Sequence, residues 1–328
     1  MRRGRSYDES DVKIRPGKGS RPRTKDRPKH EDAVFGMVVS KDRGRWGVHI
    51  NGITVNCMRA RELGRTPIVV GDQVGVVGDI SGKPGTLARI VKLADRHSVL
   101  RRTADDTDPY ERIVVANADQ LLIVCALADP PPRTGFVERA LVAAFVGNVR
   151  PVIVLTKSDL ADPTEFAQEF EALDVQVVVC GIEDPIERVT EIVNGKVSAL
   201  IGHSGVGKST LMNRLIPEAS RATGEVSGVG KGKHTSTQSV AMELPEGGWL
   251  IDTPGVRSFG LAHVDADTVI DVFDDLKEAV ENCPRSCSHL EPGCYLDTLL
   301  DKDDATARRV IAVRNLLEKL RTNVAWEN

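Results

Sequence analysis

The eight residues GHSGVGKS at 202–209 constrain this chain more than any other stretch. They satisfy every fixed position of the pattern G-x-x-x-x-G-K-[ST], with Gly202, Gly207, Lys208 and Ser209. The apolar run KVSALI precedes them and the helical run TLMNRLI follows, which is the strand–loop–helix setting that the pattern requires. A loop of Gly202, His203, Ser204, Gly205, Val206 and Gly207 lets backbone N–H groups wrap a phosphate with no Cβ in the way. The helix opening at Lys208, Ser209 and Thr210 turns its positive end to the same anion. Lys208 is expected to contact the β- and γ-phosphates, and Ser209 to ligate Mg²⁺.

Such a loop belongs to a parallel sheet covered by helices, and the surrounding pattern supplies one. From residue 120, continuous apolar runs (QLLIVCALA, PVIVLT, VQVVVC, KVSALIG) alternate with amphipathic ones (FVERALVAAFVGN, EFAQEFEAL, PIERVTEIVNG). The run GWLIDTPG ends a further strand, with Asp252 placed to hold Mg²⁺ through water and Gly255 to sense a γ-phosphate. LTKSD at 155–159 ends another. There the Asp159 carboxylate can accept from guanine N1–H and the 2-amino group; adenine offers neither donor and would leave the carboxylate unpaired. Lys157 can cover the base with its aliphatic stem, and Thr156 stands where such an element usually has Asn, with Ser158 between.

The chain order is unusual. A base-reading element ordinarily lies well downstream of the phosphate loop, whereas LTKSD precedes GHSGVGKS by about 45 residues. A parallel sheet binds ligands at the carboxyl edge of its strands whatever their order, so joining old termini and cutting elsewhere preserves the site. The expectation is a circularly permuted α/β nucleotide-binding domain.

Both flanks differ from this core. Residues 1–30 hold eleven Lys/Arg against four acids, about +7, which leaves the rest of the chain near −10 for a net of −3. This arm is too polar to bury a core and suits either nucleic-acid binding or solubility. Residues 33–95 carry five short β-branched or alternating runs, the size of an oligonucleotide-binding (OB) barrel or an SH3-like one. Residues 95–118 read as a polar connector, and the chain beyond 262 as mostly helical. Within it CPRSCSHLEPGC groups Cys283, Cys287, His289 and Cys294, a closed Cys₃His set suited to structural Zn²⁺. Cys57, Cys125 and Cys180 lie in strand-like runs and read as core residues. The longest apolar run, LLIVCALA, is far short of the ~20 residues that cross a bilayer. The basic N-terminus has no apolar segment behind it, so a cytoplasmic protein is expected.

The permuted order, the barrel before it and the cysteine cluster after it resemble the ribosome small-subunit-dependent GTPase A family. VVANADQLLIV, TKSD, GHSGVGKST, GKHTST, DTPGVRSF and the Cys–Cys–His–Cys cluster stand in family order. The resemblance implies a disordered basic tail at 1–32, an OB-fold barrel at 33–95, a permuted GTPase domain at 96–262 and a zinc-binding helical domain at 263–328. It implies GTP and GDP as ligands, and a monomer working with the small ribosomal subunit and 16S rRNA in late subunit maturation, its hydrolysis stimulated by that subunit. GKHTST is the first switch in such a family, where Thr235, Ser236 or Thr237 would complete the Mg²⁺ shell. Val256 follows DTPG, and valine cannot position a nucleophilic water as the glutamine of Ras-like enzymes does. His234 is the in-chain candidate for that role, although a lone loop histidine is more often a bystander. Two other functions fit the motifs: a P-loop ATPase or kinase, separated by whether Asp159 reads guanine, and a nucleic-acid scaffold with a static nucleotide, separated by turnover.

Overall fold

Two tight turns start the barrel. Arg43–Gly44 and Asn51–Gly52 both hold positive φ at their two central residues (42° and 80°, 49° and 82°), the geometry whose twist matches flanking strands. They join β1 (Val34–Asp42), β2 (Arg45–Ile50) and β3 (Ile53–Arg59) into an antiparallel meander. β4 (Gln73–Val77) and β5 (Ala88–Leu93) follow; β5 lies parallel to β3, and β4 pairs back onto β1. The closed order β1-β2-β3-β5-β4 decides for the OB-type barrel over the SH3-like one. Val38, Val48, Val55, Val74, Val76 and Ile90 fill it, and the buried Trp46 indole donates to Ile68 O at 3.2 Å.

The computed structural model describes residues 29–102, 112–217, 239–253, 261, 264–290 and 292–321. Residues 32–328 form one compact unit; Met1–Glu31 are a second, of which only 29–31 are described. The polar connector expected at 95–118 is in part structured: β6 (Val99–Arg102) and β7 (Arg112–Ala116) pair as an antiparallel ribbon, burying Leu100 and Val115. Their charged ends masked two short apolar cores.

The main sheet contains β8 (Gln120–Ala126), β9 (Arg150–Thr156), β10 (Gln176–Val179), β11 (Val197–Ile201) and β13 (Trp249–Asp252), parallel in the order β10-β9-β8-β11-β13. Alternation along β8 divides the core: Leu121, Ile123 and Cys125 pack with α1 (Thr134–Val146) and α2 (Thr164–Glu171), while Leu122, Val124 and Ala126 pack with α3 (Glu187–Val193) and α4 (Lys208–Leu215). One strand departs from the expected parallel pattern. β12 (Val240–Glu243) runs antiparallel to β13 and pairs with β1 at Ser40, so barrel and main sheet are continuous. His49 of β2 stacks edgewise on Trp249 at the same seam, ring centroids 4.8 Å apart.

After β13 come α5 (Ala266–Ile270), α6 (Asp274–Val280), a 3₁₀ turn at Tyr295–Leu299 and α7 (Asp304–Arg321). The Asp265 carboxylate caps α5 by accepting from Thr268 N–H at 2.8 Å, and Asp303 caps α7 through Thr306 N–H at 2.9 Å. Val310, Val313, Leu316 and Leu317 bury one face of α7 against α1 and the preceding helices. No helix among the described residues is long and apolar enough to cross a membrane.

Candidate nucleotide site and metal centre

Every nucleotide motif with described residues lies at the carboxyl end of a parallel strand. β11 runs into the loop at Gly202, where an added Cβ would meet Val124 O at 2.7 Å. Gly207 caps α4 at φ 91°, a conformation open to glycine at no steric cost. Ser204, Gly205, Ser209 and Thr210 are exposed and Val206 is buried, so the loop turns its polar side outward. The His203 ring packs on Phe136 of α1, centroids 4.4 Å apart.

Thr156, the last residue of β9, is buried. Its hydroxyl donates to Val206 O at 2.6 Å and lies 3.3 Å from Cys125 O. The threonine therefore ties LTKSD to the phosphate loop. Lys157 adopts φ 57° and its ammonium donates to Asp129 O. Ser158 turns aside and donates to the Asp184 carboxylate at 2.6 Å. Thr156, Lys157, Asp159 and Leu160 line one side of a 260 Å³ cavity; Gly207, Thr210, Leu211 and Arg214 line another. The third wall is the β10–α3 loop at Cys180, Gly181 and Ile182; the sequence marks Cys180 only as a core residue and gives the other two no role. Ile182 and Leu160 are 68% and 53% exposed there, apolar surface that a flat ring could cover.

Asp252 ends β13 in register with Leu200 of β11. Its neighbour Thr253 donates to Leu200 O at 2.8 Å, fixing this end of β13 beside the phosphate loop. Asp252 Oδ1 is buried with no hydrogen-bond partner among the described residues. Burial pushes this carboxyl up, and the Lys208 ammonium opposes the shift. An orphaned carboxylate oxygen beside the ammonium of Lys208 fits a divalent cation. His234, Thr235, Ser236, Thr237, Gly255 and Val256 lie outside the described residues.

The cysteine cluster is assembled. The donor atoms of Cys283, Cys287, His289 and Cys294 all lie within 4.8 Å of one another. Cys283 Sγ is 3.6 Å from Cys294 Sγ, which in turn is 3.7 Å from His289 Nδ1. A tetrahedron with Zn–S bonds near 2.3 Å has edges of about 3.8 Å, so the set fits zinc; a disulfide would need about 2.05 Å. His289 is buried at φ 60°, and its backbone N–H donates to Cys287 Sγ, 3.4 Å away. Two supports were not apparent in the sequence. The Asp267 carboxylate of α5 lies 2.9 Å from His289 Nε2, and Arg314 of α7 donates to His289 O at 3.0 Å and to Asp297 at 2.7 Å.

A phosphate loop, an Asp-bearing base loop and a strand-end aspartate, gathered on one sheet in rearranged chain order, define a circularly permuted P-loop GTPase. Residues 93–262 match the model of the RsgA GTPase family, and the chain belongs to that family. The protein called small ribosomal subunit biogenesis GTPase RsgA in Chlorobaculum parvum is 34% identical over 81% of this chain and 90% of its own length. Its Shewanella oneidensis counterpart is 37% identical over 81% and 78%. Among solved structures, YjeQ from Thermotoga maritima superposes with a TM-score of 0.62 over 88% of this chain and 98% of its own, at 24% identity. YloQ, described as a circularly permuted GTPase, gives 0.64 over 90% and 98%, at 20%. At these identities the two structures speak to the fold.

Proposed function

We propose that this GTPase serves in biogenesis of the small ribosomal subunit, binding that subunit and its 16S rRNA as a cytoplasmic monomer. The support is the name borne by relatives matched over most of their length, small ribosomal subunit biogenesis GTPase. The site reading rests on one observation: Asp159 and the start of α4 line a single cavity, with Thr156 hydrogen-bonded to the phosphate loop. Asp159 reads the guanine edge, Lys157 covers the ring, and Gly202–Gly207 with Lys208 hold the phosphates. Ser209 and Asp252 are the groups that would hold Mg²⁺, whose charge offsets that of the β- and γ-phosphates. Thr235 or Ser236 joins them in the GTP state, and His234 orients the attacking water. The chain divides into a basic tail (1–32), an OB barrel (33–95), the GTPase domain (96–262) and a helical domain (263–328) held by Zn²⁺ on Cys283, Cys287, His289 and Cys294.

The test is multiple-turnover GTP hydrolysis by the zinc-loaded chain with small subunits, large subunits or neither. Stimulation by small subunits alone is expected. Equal rates in all three reactions would remove the ribosomal role.

A further inference from the structure

The loop that forms the third wall of the cavity is held by a residue on the opposite wall. Arg214 lies in the last turn of α4, the helix that begins at the phosphate loop. Its guanidinium donates to Gly181 O at 2.7 Å and to Asp184 O at 2.5 Å, and Nη1 lies 3.6 Å from Cys180 Sγ. It is part-buried and lines the cavity. The loop is fixed from its other side as well. The Asp184 carboxylate accepts from Gly181 N–H at 2.7 Å and from the Ser158 hydroxyl at 2.6 Å, the residue beside Asp159. The hydrogen bonds from the Ser158 hydroxyl and the Gly181 N–H hold that carboxylate below the usual carboxylate range, with a smaller contribution from the nearby Arg214 charge.

These bonds close a ring. It runs from α4 through Arg214 to the β10–α3 loop, through Asp184 to Ser158, and through Thr156 back to Val206 of the phosphate loop. Without Arg214 the ring opens at α4. Two loop carbonyls then lose charge-assisted donors, and the wall carrying Ile182, still tied to Ser158, loses its fixed distance from α4.

We infer that Arg214 is a positioning residue for base recognition: it sets the width of the base cavity by fastening the Cys180–Asp184 loop to the helix of the phosphate loop. The inference rests on the guanine-site reading above and adds a residue to it. A planar fork bonding two carbonyls suits arginine; lysine offers a single point charge and should hold the loop only in part.

The test uses the full chain and two ligands, GDP and inorganic tripolyphosphate, both with Mg²⁺. Arg214→Ala should weaken GDP about tenfold, the loss expected for charge-assisted bonds of this kind, while tripolyphosphate affinity stays within about twofold, the spread of a surface change. Arg214→Lys should fall between parent and alanine variant for GDP. The inference is overturned if GDP affinity is unchanged in Arg214→Ala, or if GDP and tripolyphosphate weaken by the same factor, which would make Arg214 a support of the phosphate loop alone. Asp159→Asn separates this from the underlying site. If Asp159→Asn loses GDP and Arg214→Ala does not, only the role of Arg214 is lost. If Asp159→Asn keeps GDP, the base binds elsewhere and both readings fall.

Discussion

The candidate nucleotide cavity and the cysteine cluster meet the same task, placing several donors around one point, by opposite means. The cluster takes four side chains from twelve consecutive residues and depends on their identities. The cavity takes its walls from segments about fifty residues apart and relies largely on backbone groups held by bonds between them. A centre built on four ligands should fail at once when one is removed. A cavity braced by several independent bonds should weaken by degrees.

Cys294→Ser gives the largest effect in that comparison. Cys294 is buried between Cys283 and His289, and a hydroxyl is a poor substitute for a thiolate on zinc. Zinc affinity should fall more than about 100-fold, beyond the range of outer-shell changes, with Asp267→Ala giving roughly 10-fold or more. Chelator competition with a colorimetric zinc indicator measures both. Asp267 touches His289 at 2.9 Å from outside the ligand set, so equal losses in the two variants would erase the distinction between ligand and support.

Thr156→Val sits lower on the same scale. The shapes match, but Val206 O and Cys125 O lose their shared donor in a buried setting. Leaving such groups unpaired costs about 1–2 kcal/mol, or roughly 5- to 30-fold in GDP affinity. Isothermal calorimetry reads it. A loss as steep as that of Cys294→Ser for zinc would mean that the cavity, too, depends on one contact.

The same contrast explains what could be read from the sequence. Gly202 and Gly207 are legible because a strand–loop–helix turn of this kind admits little else, and the Cys₃His set because four soft ligands rarely crowd into twelve residues by chance. Arg214, Asp184 and Asp267 are not. Each is a charged residue with no motif around it, and only the folded chain brings it to Gly181, Ser158 or His289. Ser158 shows the converse: inside a recognised motif, it turns to Asp184 and leaves the cavity to its neighbours. β12 and the β6–β7 ribbon went unread for a related reason. Strands of four or five residues are specified by their partners more than by their own pattern.

The smallest effect lies outside both regions, where α1 meets α7. Glu138 of α1 is 5% exposed; its Oε1 takes the Lys319 ammonium of α7, and its Oε2 is buried with no hydrogen-bond partner among the described residues. Burial pushes this carboxyl above its ordinary value of 4.5, and Lys319 offsets only part of the shift. A raised carboxyl binds its proton more tightly in the folded chain. Below about pH 4.5 both states are protonated and the group is neutral in effect; as pH rises past that value it increasingly favours the unfolded chain. Glu138→Gln removes the ionisation and leaves Lys319, 39% exposed, to water. The variant should therefore gain on the parent as pH climbs from about 4.5 toward neutrality, read as the difference in urea midpoints. Zinc and GDP affinities should hold in the same variant, because Glu138 touches neither site. A midpoint difference that moves the other way with pH would mean that the Lys319 pair outweighs burial, and that this seam joins α1 and α7 electrostatically instead of by packing.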